Sequence, residues 1–151
     1  MERYSPTIKN RTMREIKFRG LNYDGAWVYG DLITDGYKSK NTFAHIFPTD
    51  ADEYTFDLCI QVKIESVGQY TGLKDKNGTD IYKGDIVIDQ MRNFEKRKSI
   101  IELDSINPCF VLKRIDNRYS FTDYEYDFNK CDLMIIEVIG NIYENPELCK
   151  D

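Results

Sequence analysis

The sequence predicts an all-β protein, a small twisted β-barrel or sandwich built of hairpins with at most short helical turns. Three observations carry this expectation. Apolar and polar residues alternate with period two in several segments, the pattern of half-buried strands. Those segments recur at intervals of about 8–15 residues and are separated by Gly, Asn and Asp turns. Helical periodicity is almost absent, and an all-β chain with short strands of this kind closes into a sandwich or a barrel.

Residues 1–12 contain Ser5-Pro6-Thr7 and no periodicity, and read as a flexible leader. Alternation begins with Ile16 and Phe18 set against Lys17 and Arg19. Asp24-Gly25 is a two-residue hairpin signal, because both centres of a type I′ turn need positive φ. It joins this strand to Trp27–Ile33. Asp35-Gly36 breaks the pattern, and Phe43–Phe47 makes a strand ending at Pro48. After an acidic loop (residues 48–53), Tyr54, Phe56, Leu58, Ile60, Val62 and Ile64 alternate strictly with polar residues and Cys59, which predicts a long strand.

Asn77-Gly78 is again a tight turn, Lys83-Gly84 precedes a strand at Asp85–Asp89, and residues 90–98 read as an exposed connection. Ser99–Leu103 and Cys109–Arg114 form strands around a turn at residues 104–108. Tyr119–Phe128 is aromatic, Leu133–Ile139 suits a central strand, and Gly140-Asn141 bends the chain. Asn145–Leu148 closes it with at most one helical turn.

The chain has 151 residues, enough for one domain with an adequate core. A split into two subdomains, about 13–66 and 67–151, is compatible with the pattern. Its 41% hydrophobic and 13% aromatic content excludes disorder. No apolar run approaches the roughly 18 residues of a membrane helix, so no membrane partner is expected. Residues 1–19 carry a net +4 within a chain of net charge −5, and the acidic remainder disfavours nucleic acid as a long-range partner.

The four cysteines (Cys59, Cys109, Cys131, Cys149) are widely spaced and His45 is the single histidine. No structural zinc, other metal or cofactor is expected. The cysteines read as reduced thiols, with Cys59 and Cys109 as core residues.

Candidate chemistry is sparse, and no catalytic residue is assigned. Gly68, Gly72, Gly78 and Gly84 with Lys74 and Lys76 invite a phosphate-loop reading, but no Gly-Lys-Ser/Thr opens a helix. Gly25, Gly72, Asn77, Gly78, Gly84 and Asp85 are read instead as turn residues. Asp85 is expected to bond nearby backbone amides in an Asx-type turn. His45 lacks a nucleophile beside it. Asp123, Glu125 and Asp127 share one strand face and read as solvated charges. The aromatic stretch Tyr119, Phe121, Tyr124, Tyr126 and Phe128 suits core packing or a protein interface better than base stacking, because its neighbours are acidic. Arg92, Lys96, Arg97 and Lys98, with the basic strip near Arg14, Lys17 and Arg19, are the nucleic-acid candidates.

Five segments together are similar to the YopX family of phage and prophage proteins. They are Met13–Gly20, Trp27–Ile33, Val67–Gly78, Ile81–Val87 and Val138–Leu148. The resemblance runs from Met13 to Leu148. It implies a phage or prophage origin, a cytoplasmic site in the bacterial host and a mostly β fold, over a domain at 13–151. It implies no activity. The 12-residue leader departs from the family's usual start at the methionine corresponding to Met13. The functional expectation is a non-enzymatic accessory protein acting through self-association or protein–protein binding. The alternative is a small β-barrel that binds nucleic acid.

Overall fold

The computed structural model describes residues 14–34, 43–53, 55–89, 96–106, 109–115, 126–127 and 136–150. The 1–12 leader, Asp35-Gly36, Tyr54, Arg92, Cys131, Asp123, Glu125 and the aromatic stretch other than Tyr126 and Asp127 lie outside those residues, as does the start of the Leu133–Ile139 strand.

Alternation does set the fold class. The first sheet contains β1 (Phe18–Leu21), β2 (Trp27–Thr34), β3 (Ala44–Pro48), β4 (Ile60–Val62), β5 (Gly68–Lys74) and β6 (Asp80–Tyr82). The second contains β7 (Asp85–Asp89), β8 (Arg97–Leu103), β9 (Phe110–Arg114), β10 (Tyr126–Asp127) and β11 (Glu137–Asn141). Their orders are β4-β3-β2-β1-β5-β6 and β10-β9-β8-β7-β11, with antiparallel pairing throughout. The arrangement is all-β and sandwich-like. Among the described residues there is no closed barrel, and helix is confined to single 3-10 turns at Phe56–Leu58, Ile64–Ser66 and Pro146–Cys149.

Both expected hairpin turns form, each one residue longer than a type I′ loop. Asn22 N–H donates to Ala26 O (2.9 Å), Gly25 N–H donates to Asn22 O (3.2 Å), and Gly25 takes φ +87°. Asp75, Gly78 and Thr79 repeat this pattern, with Gly78 at φ +83°. The reason lies in the first loop residue. Asn22 Oδ1 accepts the N–H groups of Asp24 and Ala26, and Asp75 Oδ1 accepts those of Asn77 and Thr79. A side-chain acceptor there favours a three-residue loop ending in a left-handed glycine.

The long strand predicted over Tyr54–Ile64 is corrected. Only Ile60–Val62 pairs, with Ala44–Ile46 of β3, and a 3-10 turn lies on each side. Val62 is buried, whereas Phe56 is 70% exposed. A strand persists only where a neighbour accepts its hydrogen bonds, and β4 instead bends across the end of β1. Val62 bridges Asn22, Lys63 N–H donates to Leu21 O (2.8 Å), and Leu21 N–H donates to Ser66 Oγ (2.8 Å). This curl needs Gly20, whose Cβ would lie 2.7 Å from Val62 Cγ2.

The exposed connection at 90–98 is also corrected at its end, because Arg97 and Lys98 belong to β8. Gly72 has positive φ (+83°) but sits inside β5, where the register to β6 shifts, rather than in a turn. Cys59 and Cys109 are half-buried, and neither joins a core cluster.

Two apolar clusters result. Val28, Ala44, Ile46 and Val62 fill the curl of β1–β4. Ile81, Val87, Ile101, Phe110, Leu112 and Ile136 pack between the β5–β6 hairpin and the second sheet. Gly84, at φ +89°, turns the chain from β6 into β7 and is pinned by two backbone bonds: its N–H donates to Ile101 O, and its O accepts Ile142 N–H. The tip of the β5–β6 hairpin lies along β11. Lys76 N–H donates to Ile136 O (3.0 Å) and Asp75 Oδ2 accepts Val138 N–H (3.0 Å).

Candidate functional site

The alternation that buries Phe18 and Gly20 in the first core turns Lys17 and Arg19 to the opposite face of β1. That face meets the second sheet, so these basic residues form a junction. Arg19 is 7% exposed and Asp85, from β7, is 1% exposed. Arg19 Nη2 stands 2.5 Å from Asp85 Oδ1. Asp85 Oδ2 accepts Tyr82 N–H at 2.7 Å, so the carboxylate does bond a nearby amide, one that precedes it in the chain. The guanidinium lies between Trp27 and Tyr82, with Cζ 4.6 and 4.9 Å from the two ring centroids. Trp27 Nε1–H donates to Glu144 Oε2, which also accepts Asn141 Nδ2–H.

Beside this pair opens a cleft of about 610 Å³, lined by Lys17, Arg19, Tyr29, Lys74, Asp80 and Asp85 among others. Lys74 and Asp80 face each other across β5 and β6. Lys17 reaches the same carboxylate, with Nζ 2.7 Å from Asp80 Oδ2 and 3.2 Å from Glu15 Oε1, while Lys74 Nζ pairs with Asp80 Oδ1. Lys17 Nζ also sits 4.4 Å from the centre of the Tyr70 ring.

Burial alone would weaken these charges. For Lys17 it is outweighed by the bonds to Asp80 and Glu15, and the ammonium is held well above its ordinary value. For Asp80 burial is outweighed by Lys17 and Lys74, and the carboxyl is held below its ordinary value. Burial raises Asp85, against the opposing charge of Arg19, and pushes Tyr82 up to about 12.

A second feature lies on the outer side of β2 and β3. Ile33, His45 and Gln61 occupy one cross-strand row. The His45 ring is 6.2 Å from that of Phe56. Phe56 (70%), Phe43 (47%) and Ile33 (36%) are exposed on or beside that row, as is Leu58 (42%) of the adjoining 3-10 turn, whereas exposed Ile60 pairs with Ile46 and lies on the other face. Single exposed apolar residues are ordinary, but such a grouping marks an interaction surface.

The basic candidates are not gathered into a groove. Lys96 and Lys98 are exposed, while Arg97 pairs in register with Asp89, on the face of β8 that carries buried Ser99 and Ile101, and its Nε is buried. Among the turn residues, Gly25, Asn77, Gly78 and Gly84 serve turns as read, and Asp85 is the centre of the junction. The Arg19–Asp85 pair had no local signal, because its partners come from strands of different sheets.

The family profile described as YopX protein matches residues 17–150. This chain belongs to the YopX family. The match takes in the residues of the sheet junction other than Glu15, and those of the β2–β4 face. Among solved structures, the YopX-family chain is similar to the crystal structure of protein EF1440 from Enterococcus faecalis, with a TM-score of 0.48 and 22% identity, covering 91% of this chain and 100% of that one. A comparison with curated proteins finds no match. No helix among the described residues is long and apolar enough to cross a membrane.

Proposed function

We propose that this YopX-family protein is a non-enzymatic accessory protein of phage or prophage origin that acts in the bacterial cytoplasm by binding protein, first of all a second copy of itself. The observation that carries this reading is the exposed apolar group Ile33, Phe43 and Phe56, with Leu58 beside them, on and beside β2–β4. Aromatic and aliphatic side chains of this kind are the usual anchors of an interface core. The charged groups of the cleft support the non-enzymatic part. Lys17 and Asp80 hold each other ionised, so neither is poised to exchange a proton near neutrality. The nucleic-acid alternative draws less support, since Arg97 turns toward the covered face of β8.

Light scattering on a sizing column at several concentrations tests the reading, with Phe56→Asp as the variant. The expected result is association that rises with concentration and is lost in the variant. A strict monomer at every concentration ends the self-association reading, and failure to capture any protein from phage-infected cells ends the protein-binding one.

A further inference from the structure

We propose that the cleft at the sheet junction binds a nucleoside monophosphate, a site distinct from the protein-binding face. The first argument is an unpaired donor at its floor. Arg19 Nε is buried and has no hydrogen-bond partner, while Nη2 and the equally buried Asp85 Oδ1 stand 2.5 Å apart as an ion pair. A buried donor left without an acceptor is costly, and Nε lies on the edge of the guanidinium that takes the oxygens of a phosphate or carboxylate. Arg19 is held for this role between two aromatic rings.

The second argument is the arrangement of Lys17 and Lys74. Two ammonium groups converge on the one carboxylate of Asp80, which occupies the position an incoming anion would take. A phosphate monoester carries nearly two charges near neutrality and three acceptor oxygens, against one charge and two oxygens for Asp80. It can draw both lysines away from that carboxylate, whereas a ligand carboxylate gains nothing by the exchange.

The third argument concerns the rest of the ligand. Tyr29 lines the cleft with its side chain 43% exposed, its ring 5.8 Å from that of buried Tyr82. It offers a flat apolar surface to a base, and base–aromatic stacking tolerates any base. Thr49 lies on the same lining, with a hydroxyl for a ribose. A volume of about 610 Å³ suits a ligand of this size.

The test is a titration of the full-length protein, followed by amide chemical shifts, with AMP and UMP, with inorganic phosphate, and with adenosine. The expected result is saturable shifts at Lys17, Tyr29, Lys74 and Asp80 with both monophosphates, weaker ones with phosphate and none with adenosine. Lys74→Gln, at an exposed position, should weaken binding about tenfold through loss of one charged contact, with an unchanged melting temperature. Asp80→Asn should tighten binding severalfold, because it removes the competing carboxylate. No saturable shift with either monophosphate at millimolar concentration overturns the proposal. So does an Asp80→Asn variant that is folded by its amide spectrum but binds more weakly than wild type. Phe56→Asp leaves these shifts unchanged, so the outcome is independent of self-association.

Discussion

Asp85→Ala probes the junction most directly. The substitution leaves Arg19 charged, 7% exposed, and without its counter-ion. It also strips Tyr82 N–H, within a fully covered turn, of its acceptor. Breaking a buried ion pair from one side costs about 3–5 kcal/mol, most of it the penalty of the stranded charge. Whole-domain stability is roughly 5–15 kcal/mol, so the variant should lose about a fifth of it or more. For a chain of this length the melting temperature should fall by roughly 6–20 °C, at about 2–4 °C per kcal/mol. Urea unfolding followed by the fluorescence of Trp27, which stacks on Arg19, is the assay. The double variant Arg19→Met with Asp85→Ala removes the stranded charge and should recover at least ~1 kcal/mol relative to the single variant. The reasoning is refuted if Asp85→Ala shifts the midpoint by less than the equivalent of ~1 kcal/mol, or if the double variant is less stable than the single one by the full cost of the lost stacking.

Other outcomes follow from the same coordinates. Gly20→Ala places a methyl 2.7 Å from Val62 Cγ2 and 3.1 Å from Ile46 Cδ1, and should cost about 1–3 kcal/mol by overpacking, read by urea denaturation. Gly25→Ala and Gly78→Ala meet no atom within 4 Å, so each should cost only the ~1–2 kcal/mol of a left-handed non-glycine residue, and the two values should agree closely because the loops are alike. For Asp75, burial is outweighed by the amides of Val138, Thr79 and Asn77, and its carboxyl is held below the ordinary 3.8. Its contribution is therefore complete above that value and lost as pH falls through the depressed one. Asp75→Asn should destabilise at pH 7, by about 1–3 kcal/mol for the amide left unpaired, with the gap to wild type narrowing in acid.

Much of this architecture is legible in the sequence where the signal is local. Asp24-Gly25 and Asn77-Gly78 mark hairpins, Asp85–Asp89 is a strand to the residue, and a single helical turn does lie at Pro146–Cys149. The loops came out one residue longer because the deciding groups, the side chains of Asn22 and Asp75, precede the dipeptide that draws the eye. The Tyr54–Ile64 reading failed because alternation reports compatibility with a strand and not the presence of a partner, and of the described residues in that segment only Ile60–Val62 pair with β3. The candidate cleft was the least legible part. Lys17 and Arg19 read as part of a basic strip, and nothing short of the sheet order reveals that their face of β1 is covered by β7.

The Asp75–Thr79 loop, bonded along β11 through Lys76 and Asp75, has a consequence for how copies of this protein can assemble. Growth into an open filament requires two different mating edges on each molecule, one to receive and one to be received. With the β11 rim stoppered by the chain's own loop, strand-by-strand polymerisation cannot start there. The proposed association through the β2–β4 face would then join copies by side-chain contact rather than by strand addition at β11.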